Sequence, residues 1–207
     1  MTTGTLFIIS APSGAGKTSL VKQLVAELDN LMVSVSHTTR QQRPGEIHAQ
    51  DYFFVSMDEF NTMLESQAFL EHAQVFDNYY GTARQTVTSN LQKGKDIVLE
   101  IDWQGAQQIR SALKDSISIF IFPPSIDVLR QRLLNRGQDS EEIISKRMKA
   151  AVTEMNHYDE FDYLIVNDDF NQALLELKSI VIARRLKTKR QQAKLDKLTQ
   201  SLLLQSS

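Results

Sequence analysis

The chain has 207 residues, 42% hydrophobic and 23% charged, with a formal net charge of −2. That is enough apolar chain for a core and roughly one domain, with no overall basic field to recruit nucleic acid. There is no cysteine, which excludes disulfides, thiolate zinc sites and a cysteine nucleophile, and no apolar run approaches the ~20 residues that span a bilayer.

Residues 5–10 (Thr-Leu-Phe-Ile-Ile-Ser) form a short apolar run that reads as a buried parallel strand. A glycine-containing turn follows. Leu20, Val21, Leu24, Val25 and Leu28 then recur with helical period. Residues 33–36, 52–55 and 69–76 look like short strands with polar alternation, and 39–50 is polar and loop-like. Two further apolar runs, 96–102 and 118–122, each precede a helical stretch, starting near Gln104 and Ser125. Residues 125–157 are helical and arginine-rich with a break at Arg136-Gly137, and 163–166 is a last strand. From Phe170 to about Leu204 one long helical pattern runs, carrying Arg184, Arg185, Lys187, Lys189, Arg190, Lys194 and Lys197 against Asp196 alone. A solvated basic face is the reading for that tail. Its leucines, Leu195, Leu198, Leu202 and Leu203 among them, suggest a homo-oligomer through the C-terminal helix.

Strands alternating with helices predict an α/β fold, a parallel sheet flanked by helices, interrupted by a small mixed insertion. The expected division of the single domain 1–207 is a core of 1–32, 96–125 and 158–207, an inserted α+β subdomain at 33–95, and a helical lid at 126–157. The N-terminus lacks the basic start of a signal peptide, so a cytoplasmic location is the expectation.

The sharpest motif is Ala11-Pro12-Ser13-Gly14-Ala15-Gly16-Lys17-Thr18. It fits the phosphate-binding loop pattern and lies between a predicted strand and a predicted helix. Small residues let successive backbone N–H groups curl around a phosphate, and the helix N-terminus adds partial positive charge. In such a loop Lys17 reaches the β and γ phosphates of ATP and the Thr18 hydroxyl ligates Mg²⁺. Ala11 stands where the commoner form has glycine, so the chain's approach to the loop is expected to differ slightly. The loop fixes a nucleotide donor but not the acceptor.

The acceptor is suggested by six further segments: 34–46 (Ser-Val-Ser-His-Thr-Thr-Arg-Gln-Gln-Arg-Pro-Gly-Glu), 51–55, 78–82, 100–105, 132–137 and 166–169. In this order they resemble the signature of guanylate kinases, over about residues 5–183. The resemblance implies a P-loop NTPase core, a GMP-binding subdomain, a lid, and Mg-dependent transfer of the ATP γ-phosphate to GMP. It implies that Arg40, Arg43, Tyr52 and Tyr80 hold the GMP phosphate. It also implies that the carboxylates of Glu71 and Asp102, with the hydroxyls of Ser36 and Thr82, read the guanine edge. Guanine offers N1–H and N2–H₂ as donors and O6 as acceptor, so carboxylates opposite the donors suit it.

An acceptor that is already an anionic phosphate oxygen needs no strong protein base, so catalysis reduces to positioning and charge neutralisation. Lys17, Arg40, Arg43, Arg132, Arg136 and Arg147 are the candidate cations. Arg132 and Arg136 are spaced to share one helix face, and 136–139 is a plausible moving tip of the lid. Glu100, at the end of the central strand, is expected near the Mg²⁺ water shell. Asn167, just past a core strand, is expected to border the ATP adenine. His37, His48, His72 and His157 lack metal-ligand spacing among themselves. ATP and GMP are the expected partners, with no nucleic acid and no membrane. The rival readings are a nucleotide kinase of other base specificity and a catalytically silent binding module of the same fold.

Overall fold

The computed structural model describes residues 3–75, 77–135 and 141–204. The apolar run near the N-terminus forms β1 (Leu6–Ser10), buried along its whole length. It is followed by α1 (Lys17–Glu27), β2 (Leu31–Val33), β3 (His37–Thr38), β4 (Phe53–Phe54), α2 (Met57–Glu65), β5 (Phe69–Val75) and β6 (Asn78–Ala83). Then come α3 (Arg84–Gln92), β7 (Asp96–Glu100), α4 (Trp103–Ala112), β8 (Ile117–Phe122), α5 (Ile126–Asn135), α6 (Glu141–Met155), β9 (Tyr163–Val166), α7 (Phe170–Arg185) and α8 (Thr188–Leu204).

Among the described residues the strands form two sheets. The larger has order β2-β7-β1-β8-β9, and every neighbouring pair is parallel. Side chains alternate across a strand, and β1 shows the consequence. Phe7 and Ile9 pack with Leu20, Val21 and Leu24 of α1 and Leu177 and Val181 of α7. Leu6 and Ile8 face the other way, onto Val87 of α3 and Ala106 and Ile109 of α4. Both faces are therefore covered by helices, as an all-parallel sheet requires. Truncating a fully buried leucine such as Leu24 to alanine should cost about 2–5 kcal/mol.

The smaller sheet has order β4-β3-β6-β5, with β6 antiparallel to both of its neighbours. The strand read at 33–36 lies earlier, as β2, and joins the core sheet beside β7. At the other end of the insertion, α3 buries Val87 in the core cluster. α2 is closed by a capping box: Ser56 Oγ accepts from Glu59 N, and the Glu59 carboxylate accepts from Ser56 N. α5 and α6 share a small apolar cluster of Leu129, Leu133, Ile144 and Ala151.

The tail differs from the sequence expectation in two ways. It is two helices, broken at Leu186-Lys187. Nor are its cations all on a solvated face. Arg185 Nε lies 2.8 Å from the buried Asp96 carboxylate, and Arg190 reaches the same group at 3.2 Å. Asp96 also accepts from Thr5 N at 2.6 Å. Counting only the acids within the tail hid this, because the partner is 89 to 94 residues away in sequence. A carboxylate buried this deeply needs such partners.

Candidate active site

The carboxyl ends of the parallel strands lie together at one edge of the core sheet, the general ligand position of open α/β folds. The phosphate loop leaves β1 there. Gly16 caps α1 with φ 93° and ψ 11°, and Gly14 has φ 96°; both sit in the left-handed region that glycine tolerates. A Cβ on Gly16 would come within 2.3 Å of Asn167 Nδ2. That close approach lets Asn167 donate to Ala15 O at 2.7 Å. Arg132, from α5, donates to Asn167 O at 3.1 Å and to Ala15 O at 3.4 Å. The loop is thus pinned from outside by two of the residues singled out in the sequence. Ala11 is buried and is not among the non-glycine residues of positive φ. Glycine's freedom is not needed at that position, and the loop starts in ordinary backbone geometry.

Lys17 Nζ donates to Ile101 O at 3.3 Å, and Ser10 Oγ donates to the same carbonyl at 2.8 Å. Thr18 Oγ1 donates to Glu100 Oε2 at 3.0 Å. A hydroxyl and a carboxylate oxygen side by side form the hard-oxygen donor set that suits Mg²⁺. Among the described residues there is no group of three or more His, Cys, Asp or Glu side chains able to hold a metal alone.

Beyond the end of β7 the acidic pocket begins. Asp102 caps α4, accepting from Gly105 N at 2.9 Å. Glu71, on β5, is 3% exposed. Its carboxylate accepts from Thr82 Oγ1 of β6 at 2.5 Å, and Thr82 Oγ1 lies 3.4 Å from Ser36 Oγ. Burial pushes the Glu71 carboxyl up to about 7, and the nearby Asp102 charge adds to the rise while Thr82 opposes it. The folded carboxyl therefore holds its proton more tightly than an unfolded one, whose ordinary value is 4.5. Its contribution to stability falls as pH rises from 4.5 through about 7. Gly105 lets α4 pack closely here, because a Cβ on it would meet Glu71 Oε2 at 2.6 Å and the carboxylate would have to shift.

Between pocket and loop lie Arg40 and two phenols. Arg40 donates to Glu46 at 2.7 Å and lies over the Tyr52 ring at 5.5 Å. Burial works against its charge, but Glu46 and Tyr80 outweigh it and hold its pKa above the ordinary value. Tyr52 and Tyr80 rings meet edge-on at 5.9 Å. Burial pushes the Tyr52 phenol up to about 12, so it stays a neutral donor. Arg43 is exposed, and its backbone N–H donates to Glu46 Oε2 at 2.8 Å. Glu46 thereby ties the two arginine positions of the loop together.

The structure therefore brings together Lys17, Thr18, Glu100, Arg132 and Asn167 at one end and Ser36, Glu71, Thr82 and Asp102 at the other, with Arg40, Tyr52 and Tyr80 between. Arg147 lies half-buried on α6. Arg136, and the tip expected at 136–139, lie outside the described residues. Sequence reasoning missed Glu154. This α6 carboxyl is pushed up to about 7 by burial, against the attraction of Lys17 and with added repulsion from Asp102. It stands two helical turns after Arg147, and that spacing was the available signal. Trp103 is half-buried and stacks on His157 with ring centroids 3.6 Å apart.

Comparison with known proteins bears on this arrangement. The guanylate kinase family model matches residues 3–184. A guanylate kinase of Methylococcus capsulatus is 59% identical over 203 residues, covering 98% of this chain and all of that protein. One of Escherichia coli K12 is 58% identical over 205 residues, covering 98% and 99% of the two chains. The crystal structure of guanylate kinase from Anaplasma phagocytophilum superimposes with a TM-score of 0.77 at 34% identity, covering 92% of this chain and 90% of that one.

Proposed function

The chain belongs to the guanylate kinase family, and from that premise we propose how its own residues carry the transfer of the ATP γ-phosphate to GMP. The observation that carries the reading is the buried Glu71–Thr82–Ser36 cluster beside Asp102, placed across a cationic gap from a phosphate loop.

ATP lies with its phosphates in the loop, where the backbone N–H groups of residues 13, 14 and 16–18 and the Lys17 ammonium face them. Arg132 and Asn167 hold the loop's shape through Ala15 O, and Ala15 N–H adds to it by donating to Pro12 O at 3.0 Å. Thr18 would ligate Mg²⁺ and Glu100 would reach it through the ion's water shell; the ion when bound neutralises charge on the β and γ phosphates.

GMP lies with its base against the acids. Glu71 and Asp102 accept from guanine N1–H and N2–H₂, and the hydroxyls of Ser36 and Thr82 serve its O6 side. Adenine would present a lone pair at N1 and leave a buried carboxylate without a partner, a mismatch able to give discrimination of about 10⁴ without editing. The GMP phosphate takes Arg40, Arg43, Tyr52 and Tyr80. Arg40 is already oriented by Glu46 and by its place over Tyr52, so little is lost in ordering it.

The GMP phosphate oxygen attacks directly and no side chain need remove a proton. The residues' work is to bring two anions together: Lys17 and Arg132 from the donor side, Arg40 and Arg43 from the acceptor side, Arg136 and Arg147 from the lid. Closure of the lid and of the inserted subdomain over the nucleotides excludes water, which would otherwise accept the phosphate. A cytoplasmic setting and a homo-oligomer joined through α8 complete the proposal. No helix among the described residues is long and apolar enough to cross a membrane, and Leu198, Leu202 and Leu203 are exposed on α8.

The test is ADP release from ATP with GMP, AMP, UMP and CMP in turn. GMP should be the preferred acceptor by orders of magnitude. Comparable rates with AMP would remove the base-pocket assignment.

A further inference from the structure

At the opposite end of the core sheet from the phosphate loop there is a cleft of about 710 Å³, open to solvent on one side. It is walled by the chain before β1, the end of α3, the turn before β8 and the α7–α8 junction. Its size is in the usual range for a small-molecule site. The tail cations set aside in the sequence as a solvated face reach it: Arg184, Lys187, Lys189 and Arg190 line it, against one acid, Asp115.

These four cations are not equivalent. Arg190 is spent on Asp96. Arg184 donates to Asp115 O at 3.1 Å and stands 3.5 Å from the Asp115 carboxylate. That carboxylate is 90% exposed, so it offsets little of the guanidinium charge. Arg184 Nε is buried and has no hydrogen-bond partner among the described residues. Lys187 and Lys189 make no ion pair among the described residues. A chain of net charge −2 thus gathers three weakly compensated cations around one cavity, next to the apolar side chains Leu91 and Leu113.

We infer that this cavity is a second ligand site, taking a phosphorylated small molecule whose phosphate lies on Arg184, Lys187 and Lys189 and whose body packs on Leu91 and Leu113. A monocarboxylate would leave most of the positive charge uncompensated, whereas a phosphate or diphosphate matches it and suits the arginine fork. The cations converge on a cavity instead of tracking along a helix, which disfavours a nucleic-acid strand. The site is separate from the phosphate loop, since the two lie at opposite ends of β1.

The experiment is titration calorimetry on the full chain carrying Lys17→Ala, with no other nucleotide present. Any probe held by the backbone of the phosphate loop is the part of the binding that substitutions at Lys187 and Lys189 leave unmoved. Inorganic pyrophosphate and uridine diphosphate are the probes. Saturable one-to-one binding is expected, weakened at least tenfold when Lys187→Glu and Lys189→Glu are added, and likewise by Ser116→Glu on the facing wall. Tighter binding of uridine diphosphate would identify a phosphate ester with an organic body, and equal binding a free polyphosphate. With Lys17 restored, the Lys187→Glu, Lys189→Glu chain should phosphorylate GMP at an unchanged rate. Absence of saturable binding at millimolar probe, or binding unmoved by both sets of substitutions, would overturn the site.

Discussion

The donor and acceptor halves that we propose for the cleft are built by different means. The donor half is largely backbone: a loop of small residues between β1 and α1, held by Asn167 and Arg132 through one carbonyl. The acceptor half is side chains brought from β5, β6, the start of α4 and the loop after β3. Backbone recognition suits a triphosphate, which is the same in every nucleotide. Side-chain recognition suits a base, which must be told from others. Chemistry and specificity should therefore separate on mutation.

The largest effect that tests this separation is Lys17→Ala. Removing a cation that meets the transferring phosphate should lower kcat on the order of 10²–10³-fold, while the GMP KM moves by no more than about threefold. A parallel collapse of GMP affinity in steady-state kinetics would break the division into halves. Next comes Glu71→Gln, which should leave kcat for GMP within about tenfold but reduce the preference for GMP over AMP by about 10²-fold. Competing-substrate rates would show it, and unchanged selectivity would take Glu71 out of the base pocket. The smallest is Gly105→Ala. Its Cβ would stand 2.6 Å from Glu71 Oε2, so the carboxylate must shift. The GMP KM should rise about tenfold with kcat nearly constant, at a stability cost of about 1–3 kcal/mol read from thermal unfolding. A KM matching the unaltered chain would mean that the fit of α4 against Glu71 does not shape the pocket.

The same division explains what could be read in advance. The donor site is contiguous: residues 5–28 carry the strand, the loop and the helix, and each has a local signal. The position of Asn167 after a strand suggests a place at the ATP adenine, whereas its pinning of Ala15 in the phosphate loop spans 152 residues and no local pattern records that. The acceptor residues were named only through resemblance to a family, because nothing local says that Glu71 turns inward while His72 turns outward. Among elements, α2 was missed although its capping box, Ser56 with Glu59, stood in the sequence. The break between α7 and α8 carries neither glycine nor proline, so periodicity ran through it. Asp96 drew Arg185 and Arg190 out of an apparently solvated face, a long-range electrostatic demand invisible to charge patterning.

The central claim is that a buried carboxyl on β5 reads the purine. With its pKa raised to about 7 in the free protein, Glu71 accepts from the guanine donors more strongly once ionised, so GMP binding should expel a proton and affinity should weaken as pH falls below about 7. The direct measurement is calorimetry of GMP binding at pH 6.5 in two buffers of different ionisation enthalpy, on the unaltered chain and on Glu71→Gln. The nucleotide's own phosphate contributes equally to both. The unaltered chain should release more proton per GMP bound than the variant. Equal proton release by the two proteins would contradict the assignment.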